Sequence, residues 1–355
     1  MLESPLAQTR VERIITMAHE TFDAHLDDWQ TLHTRQPAQS LLLGNGASRA
    51  VWRSFTYDGL FERAQKVRNK PLSLTDLALF KSLQTHSFEQ VLAVLNSTVR
   101  VNAALAISST APLNRYYAIK EALIHAVRSV HIPFRLLDEQ RLAALNLALR
   151  GFDTVYSSNY DLLCPWAVQH DAQGFAELMD VNAGFDIRRT ASTGCRVLYL
   201  HGGLHLIKNS DGTTRQRTAE GEALLDGFAI NTPGDVPLLV NEGPSAQKLR
   251  TIRDSDYLSW CHGELSRQDG TLCIFGHNLD GDDLHILEAL RQAPAHNLYV
   301  SIFPLSDAWI ISQKQRFEAL FEGSGKRLHF FDATSHGLGS AQLNVPVPAL
   351  LKKRR

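Results

Sequence analysis

Short apolar runs, each closed by glycine or polar residues, alternate with helical stretches along this chain of 355 residues. The first run is Ser40–Leu43, and runs of the same kind follow at residues 154–158, 196–200, 236–240, 271–275 and 298–303. Unbroken apolar runs of this length are typical of buried parallel strands. Helical periodicity at 246–264 and 284–293 separates the later runs, so the pattern predicts an α/β protein with a mainly parallel, helix-covered sheet.

Two other parts of the chain show only helical periodicity. Apolar residues recur every three or four positions at Val11, Ile14, Ile15, Ala18, Phe22, Leu26 and Trp29, which predicts an N-terminal helical lead-in over residues 1–39. Further helices are predicted at 74–83, 88–107, 114–130 and 138–149, with Ser87 and Gln90 spaced as in a capping box. About a hundred residues of helix are too many for one crossover. We therefore predict a helical insertion subdomain over 50–149, within a core made of 40–49 and 150–345.

The charge balance and the cysteines narrow the function classes. Lysine and arginine number 36 against 37 aspartates and glutamates, so no overall field favours nucleic acid or an anionic membrane. The four cysteines contain no C-x-x-C pair, which predicts reduced core residues at Cys164, Cys195, Cys261 and Cys273. The sequence has no signal-peptide pattern and no apolar run of about 20 residues, so we expect a cytoplasmic protein.

Polar motifs follow four of the predicted strands. They are Gly44-Asn45-Gly46-Ala47-Ser48, Ser157-Ser158-Asn159-Tyr160-Asp161, Leu200-His201-Gly202-Gly203 and Phe275-Gly276-His277-Asn278-Leu279. Because open α/β sheets bind ligands at the carboxyl ends of their strands, we expect these motifs to form one site. The first motif does not complete G-x-G-x-x-G, since Arg49 replaces the third glycine and no acidic strand end follows about twenty residues later. The dehydrogenase fingerprint therefore fails.

Taken in order, the four motifs resemble those of the sirtuin (SIR2) superfamily, and in particular of bacterial SIR2-like proteins whose second motif reads T-T-N-Y-D. The resemblance extends to an uncharacterised family, DUF4917, which shares phrases such as residues 237–243. It covers the sheet, at residues 40–48 and 150–305, and implies a Rossmann-like core with an NAD site. The chain departs from sirtuins in reading G-N-G for G-A-G, and in placing Gly276-His277-Asn278 where sirtuins have a ribose-binding G-T-S or G-S-S.

The resemblance implies roles for individual residues. The expected catalytic residues are His201 as general base, with Asn159 and Asp161 near the nicotinamide end of NAD. The other expected contacts with NAD are strand-end residues: Gly44, Asn45, Gly46, Ser48, Ser158, Gly202, Gly276, His277 and Asn278. Within this set, Gly44, Gly46 and Ser48 would lie against the pyrophosphate, and Gly276 and Asn278 would hold the adenosine ribose.

These residue types suit cleavage of the bond between nicotinamide and ribose, which passes through an oxocarbenium-like centre. An imidazole with an ordinary pKa of about 6.5 can act as the base, and the Asn159 amide can bind the ribose or the attacking water. We expect no metal, because Gly202-Gly203 breaks the helix that an H-x-x-x-H pair of His201 and His205 would need. Acidic residues before an apolar helix are interpreted as caps: Asp280, Asp282 and Asp283.

Three functions stay open on the sequence. The first is an NAD glycohydrolase that releases nicotinamide and ADP-ribose. The resemblance links this activity to anti-phage defence by NAD depletion, as a homo-oligomer or with a partner defence protein. The second is an NAD-dependent deacylase, which is disfavoured because the four cysteines cannot build the zinc module of sirtuin deacylases. The third is a non-catalytic NAD or ADP-ribose sensor that gates a partner, against which the presence of both Asn159 and His201 counts.

Overall fold

The computed structural model describes residues 22–55, 59–180, 184–188, 193–209, 211–217, 219–226, 237–240 and 243–348. Its strands in chain order are β1 (Ser40–Leu43), β2 (Thr154–Ser157), β3 (Met179–Asp180), β4 (Gly184–Phe185), β5 (Arg196–Tyr199), β6 (Gly202–Lys208), β7 (Thr214–Gln216), β8 (Pro237–Leu239), β9 (Thr271–Phe275), β10 (Asn297–Ile302) and β11 (Arg327–Asp332). In the described part of the chain, six of these strands form one parallel sheet flanked by helices. The predicted α/β class is therefore confirmed.

Six helices in the described part of the chain begin with a side chain that caps their first turn. The described helices in chain order are α1 (Trp29–Arg35), α2 (Asn45–Val51), α3 (Leu60–Lys66), α4 (Leu74–Ser82), α5 (Phe88–Ala104), α6 (Thr110–Val130), α7 (Glu139–Arg150), α8 (Leu163–His170), α9 (Gly221–Asp226), α10 (Ser245–Arg253), α11 (Asp256–Ser266), α12 (Leu284–Gln292) and α13 (Asp307–Phe321). Side chains that accept a hydrogen bond from the first turn belong to Asp28, Ser73, Ser87, Asp138, Ser255 and Ser306. These caps satisfy amide groups that the helix itself leaves unpaired.

The strand order across the parallel sheet is β11-β10-β9-β1-β2-β5. Numbered among themselves along the chain, these six strands follow the Rossmann order 3-2-1-4-5-6. The chain builds outward from β1 through β2 to β5, and then returns to the other side of β1 with β9. The order thus reverses between β1 and β9, and in this fold ligands bind at the carboxyl ends of the strands at that switch point.

Successive residues of the central strands point into different cores. Leu41 and Leu43 lie in one hydrophobic cluster with residues of α5 and α6, whereas Leu42 lies in a second cluster with residues of α11, α12 and α13. Alternation of this kind follows from the two-residue period of a strand. Both faces of the sheet are therefore covered, which explains why the strands read as continuous apolar runs.

The predicted run of helices between the first two strands is confirmed. Helices α2 to α7 lie between β1 and β2, and the described residues from 59 to 153 contain no strand. Side chains of α5 and α6, such as Val91 and Leu123, share a core with the sheet. No helix in the described part of the chain is long and apolar enough to cross a membrane.

The N-terminal lead-in is only partly helical in the described residues. The stripe from Val11 to Ala18 lies outside them, and residues 22–28 are not helical, so the predicted continuation of the stripe through Phe22 and Leu26 is wrong. Asp27 instead pairs with Phe331 of β11, with its N–H 3.0 Å from the Phe330 oxygen. This pairing satisfies backbone N–H and C=O groups of the edge strand β11, which would have no partner in residues 22–28 if those residues were helical.

The predicted strand at 236–240 joins a different sheet. Its described residues form β8, which pairs antiparallel with β6 in a three-stranded sheet that also contains β7, while Val236 lies outside the described residues. An apolar run indicates a strand but does not select its partner, and here the partner is β6, which was not predicted and is separated from the end of β5 by two residues. A hairpin turn joins β6 to β7, with the Asn209 N–H 2.8 Å from the Thr213 oxygen.

The four cysteines are free thiols, as predicted. Cys195, Cys261 and Cys273 are buried and Cys164 is half-buried. Burial raises the pKa of the Cys195 thiol to about 12, so it stays protonated at neutral pH. The three buried cysteines therefore pack as small apolar side chains.

Candidate functional site

The loops that follow β1 and β9 pack backbone against backbone at the switch point. The Gly44 N–H donates to the Phe275 oxygen at 3.0 Å, and the Gly46 N–H donates to the Gly276 oxygen at 2.8 Å. A Cβ added to Gly46 would lie 2.7 Å from the Gly276 Cα, and one added to Gly44 would overlap the Gly276 oxygen. Gly276 has a φ of 66°, a conformation that glycine adopts without strain. Close approach of the two loops therefore explains these three glycines.

This packing changes the role expected for the first glycine motif. The amides of Gly44 and Gly46 are already used by the β9 loop, so they do not point at a ligand. Asn45 is the first residue of α2 and is half-buried. A phosphate bound at this edge of the sheet would therefore need hydrogen-bond donors of the turn other than the Gly44 and Gly46 amides.

Asn159, Ser48 and Asp161 form a buried hydrogen-bonded network beside Gly44. The Asn159 Nδ2 donates to the Gly44 oxygen at 3.0 Å and to the Ser48 Oγ at 2.9 Å. The Ser48 hydroxyl donates to the Asp161 carboxylate, whose other oxygen accepts from the Leu163 N–H at 2.9 Å. The expectation that the first two strand-end motifs come together is confirmed. Because both Nδ2 protons of Asn159 are used, its carbonyl oxygen is the group left to accept from a ligand.

His201 lies two residues beyond the end of β5 and is buried, with 3% of its surface exposed. Its Nε2 lies 2.8 Å from the Nε2 of His285, and the His285 Nδ1 lies 2.9 Å from the Ser245 Oγ. Burial lowers the pKa of His201 well below its usual value and lowers that of His285 to about 4. Both imidazoles are therefore neutral at pH 7, which is the form that accepts a proton.

Asp283 is the carboxylate of this histidine cluster. Its Oδ1 lies 2.9 Å from the Lys248 Nζ and 3.9 Å from the His201 Nε2, and its Oδ2 lies 3.8 Å from the His277 Nε2. Burial opposes ionisation of Asp283, yet its pKa lies well below the usual range because His201, His277 and Lys248 surround the carboxylate. Asp283 is the N-cap residue of α12, as its place before the helix indicated, but its carboxylate makes no capping hydrogen bond there and binds the groups of this cluster instead.

His277 connects the two halves of the site. Its ring reaches Asp283 on one side, while a Cβ on Gly44 would lie 2.6 Å from the His277 Cβ on the other. The His277 Nδ1 accepts from the Leu279 N–H at 3.0 Å, so Nε2 carries the proton that faces Asp283. Asn278, the next residue, is exposed, and its carbonyl accepts from Arg316. His277 thus lies between the turn that carries the Asn159 network and the cluster around Asp283.

Two predicted site residues have structural contacts. The Ser158 hydroxyl donates to the Leu43 oxygen at 3.0 Å and so ties β2 to the end of β1. Gly202 has a φ of 73°, and a Cβ there would fall on the Leu238 carbonyl oxygen of β8. The second histidine of the H-x-x-x-H spacing, His205, lies on β6 with its ring against Tyr199. It takes no part in the cluster.

Sequence reasoning missed Ser245, Lys248 and His285. The first two lie on α10 and His285 lies on α12, and these helices meet at the end of β5 only in the folded chain. Gln247 of α10 also donates to Thr85 and Gln90, which fixes α10 against the helices between β1 and β2. Polar residues on an amphipathic helix are ordinarily solvent-facing, so spacing alone gives no signal for them.

Within the described residues, one group has the composition of a metal site. One ligand atom each from His201, Asp283 and His285 lies within 4.8 Å of the other two. The Lys248 ammonium already binds Asp283, however, and the two imidazoles already bind each other. A divalent ion would have to displace a buried cation and a hydrogen-bonded proton.

Purified protein is therefore expected to contain no stoichiometric zinc. Elemental analysis by mass spectrometry after dialysis against metal-free buffer measures this directly. The contrary result is one zinc per chain in wild type that is lost in His285→Leu, which would identify the cluster as a metal centre.

A doubly wound α/β protein with a buried polar cluster at its switch point is the class that fold and site define. The chain belongs to the family described as a domain of unknown function (DUF4917), whose model matches residues 41–338. That range contains every residue of the cluster. No curated protein matches the chain at a significant level.

Proposed function

We propose that this protein is a SIR2-like NAD glycohydrolase, which cleaves NAD to nicotinamide and ADP-ribose with water as the nucleophile. One observation carries the proposal: the Asn159 network lies at the switch point of a sheet with Rossmann strand order, and Asp283 lies between the neutral His201 and His277, which follows β9 at that point. Sheets of this order bind dinucleotides at that point. The order of the four strand-end motifs, which resembles that of SIR2-like proteins, adds the class of reaction.

The Asn159 network suits the nicotinamide end of the substrate. The Asn159 carbonyl can accept from a ribose hydroxyl, because its two Nδ2 protons are held by Gly44 and Ser48. The Asp161 carboxylate stabilises positive charge that develops on the ribose as nicotinamide leaves. Hydrogen bonds from Ser48 and Leu163 hold that carboxylate in place before the substrate arrives. Pre-organised charge of this kind acts on the transition state without a reorganisation cost.

His201 supplies the base. A neutral imidazole takes the proton of the attacking water, and the imidazolium that forms lies 3.9 Å from the Asp283 carboxylate. On the other side of the switch point, Gly276 and Asn278 are assigned to the adenosine ribose by the resemblance. No step of the proposed reaction passes through a metal ion.

The biological role that follows is depletion of NAD, which the resemblance connects with anti-phage defence. The homo-oligomer or partner defence protein expected from the resemblance would act at the level of activation, and the cytoplasm is the compartment that holds the substrate. A sensor that binds NAD without cleaving it differs in one respect only, namely that wild type would release no nicotinamide.

The experiment is to incubate purified protein with NAD and to measure nicotinamide and ADP-ribose, with and without an acylated peptide. We expect equal amounts of both products in the absence of peptide, and a loss of about 100-fold or more in Asn159→Ala because the ribose is no longer oriented. Loss of a buried hydrogen-bonded amide also costs about 1–3 kcal/mol of stability, so melting curves accompany the assay.

Ser108→Ala is the matched control, since it removes a polar side chain in an exposed loop of the helical segment. Dependence of nicotinamide release on the acylated peptide would indicate a deacylase instead. Binding of ADP-ribose without any cleavage of NAD would indicate a sensor.

A further inference from the structure

We propose that His285 and Ser245 are positioning residues for His201, which fix its ring and its tautomer so that the Nδ1 lone pair is free to take the proton of water. This inference rests on the proposed function for its effect on rate. The hydrogen bonds that position His201 do not depend on which substrate binds.

Three contacts fix the His285 side chain and backbone. The His285 backbone N–H donates to the Ser245 Oγ at 2.8 Å, and the His285 Nδ1 lies 2.9 Å from the same oxygen. The His285 carbonyl lies 3.1 Å from the Nε2 of His262. A ring held at both its backbone and its Nδ1 can present only one atom, Nε2, to a neighbour. That atom lies 2.8 Å from the His201 Nε2.

A hydrogen bond between two neutral imidazoles contains a single proton, so one Nε2 must donate and the other accept. The Asp283 Oδ1 lies 3.9 Å from the His201 Nε2, and a nearby carboxylate favours the tautomer that carries hydrogen on the nitrogen facing it. His201 is therefore the donor and His285 the acceptor. The His285 Nδ1–H then donates to the Ser245 Oγ, which has two lone pairs and can also accept the backbone N–H.

With its proton on Nε2, His201 keeps its lone pair on Nδ1. In the reaction, the water oxygen forms a bond to the anomeric carbon while the bond from that carbon to the nicotinamide nitrogen breaks. The bonding pair leaves with nicotinamide, and the water proton moves to the His201 Nδ1. The His201 Nε2–H remains bound to His285 throughout, as in catalytic triads where a third group orients the base.

The tautomer can be measured without any activity. Long-range ¹H–¹⁵N spectra of histidine-labelled protein, assigned with His201→Gln and His285→Gln, are expected to show His201 as the Nε2–H tautomer and His285 as the Nδ1–H tautomer at pH 7. The opposite tautomers would overturn the proposal even if the protein hydrolyses NAD.

The kinetic test compares an acceptor with an apolar group at position 285. His285→Gln offers an oxygen to the His201 Nε2–H and is expected to retain most of kcat. His285→Leu removes the acceptor and is expected to lower kcat by at least about tenfold with little change in KM, because a wrongly oriented or wrongly protonated base is costly. His205→Gln is the control, since His205 is a buried histidine on β6 that lies outside the Ser245–His285–His201 chain.

Ser245→Ala tests the same chain if His285→Leu fails to fold, with Ser245→Thr expected to restore the rate. Full kcat in His285→Leu or Ser245→Ala, with wild type active, would overturn the positioning role and leave the glycohydrolase intact. Absence of NAD cleavage by wild type would overturn the proposed function, while the tautomer measurement would still decide the geometry.

Discussion

His201→Ala is expected to lower nicotinamide release from NAD by about 100- to 10,000-fold, the usual contribution of a positioned general base. Water is a poor nucleophile, so its attack depends on a group that removes its proton. Burial lowers the pKa of His201 well below the usual value, so the ring is in its proton-accepting neutral form at pH 7, and the Asp283 carboxylate 3.9 Å away favours the imidazolium that forms. The measurement is the initial rate of nicotinamide release, with melting temperature as the folding control.

His205→Ala is the matched control for this variant. His205 is as buried as His201, at 2% exposed against 3%, and lies four residues further along the chain on β6. Its Nδ1 has no hydrogen-bond partner, so no hydrogen bond is lost at that atom when the ring is removed. A similar loss of stability in both variants, with loss of activity only in His201→Ala, is the expected pattern. Equal rates in the two variants would show that His201 is not the base.

Gly202→Ala is expected to destabilise the protein by about 2–5 kcal/mol, the sum of a left-handed backbone penalty and a steric overlap. Gly202 has a φ of 73°, and the added Cβ would fall on the Leu238 carbonyl oxygen. To relieve this overlap, β6 must move away from β8. The same movement would shift His201, whose carbonyl accepts from the Val240 N–H at 2.9 Å. The free energy of unfolding from urea denaturation measures the effect.

Substitutions at two other glycines separate the backbone penalty from the steric overlap. Gly323 has a φ of 72° with nothing within 4 Å of an added Cβ, so Gly323→Ala isolates the backbone penalty of about 1–2 kcal/mol. Gly151 has an ordinary conformation and only ordinary contacts beyond 3.8 Å, so Gly151→Ala should change stability little. A cost for Gly202→Ala no larger than that for Gly323→Ala would mean that the contact with Leu238 is not tight.

The positions of strands and helices could be predicted because burial on both sheet faces leaves a clear trace in the sequence. The run at 271–275 is β9, and the helical periodicity at 74–83 is α4 with one residue less. The sequence carries no comparable signal for which strands pair with each other. The run at 236–240 looks like the other strands, yet β8 pairs with β6 outside the parallel sheet. The edge strand β11 is largely half-exposed and has no continuous apolar run, so it escaped prediction.

The site residues likewise divide into those whose contacts the sequence predicts and those whose contacts it does not. Contact between Asn159 and Gly44 could be predicted, because neighbouring parallel strands bring their carboxyl ends together. Asp283 was visible only as an acidic residue before a helix, for which capping is the usual explanation. Its partner Lys248 is 35 residues away in the chain and lies on a different helix. Contacts between helices depend on how those helices pack on the sheet, which a single sequence does not reveal.

A crystal structure of the protein with ADP-ribose, the expected product, tests most directly whether the NAD site lies at the switch point. The pyrophosphate is expected at the carboxyl ends of β1 and β9, with the ribose that carried nicotinamide between Asn159 and His201. A surface recess lined by Ile187, Asp211, Arg253, Trp260 and Arg267, among others, is the alternative location. ADP-ribose bound in that recess, with the cluster around Asn159 and His201 unoccupied, would contradict the assignment of this cluster as the site of NAD cleavage.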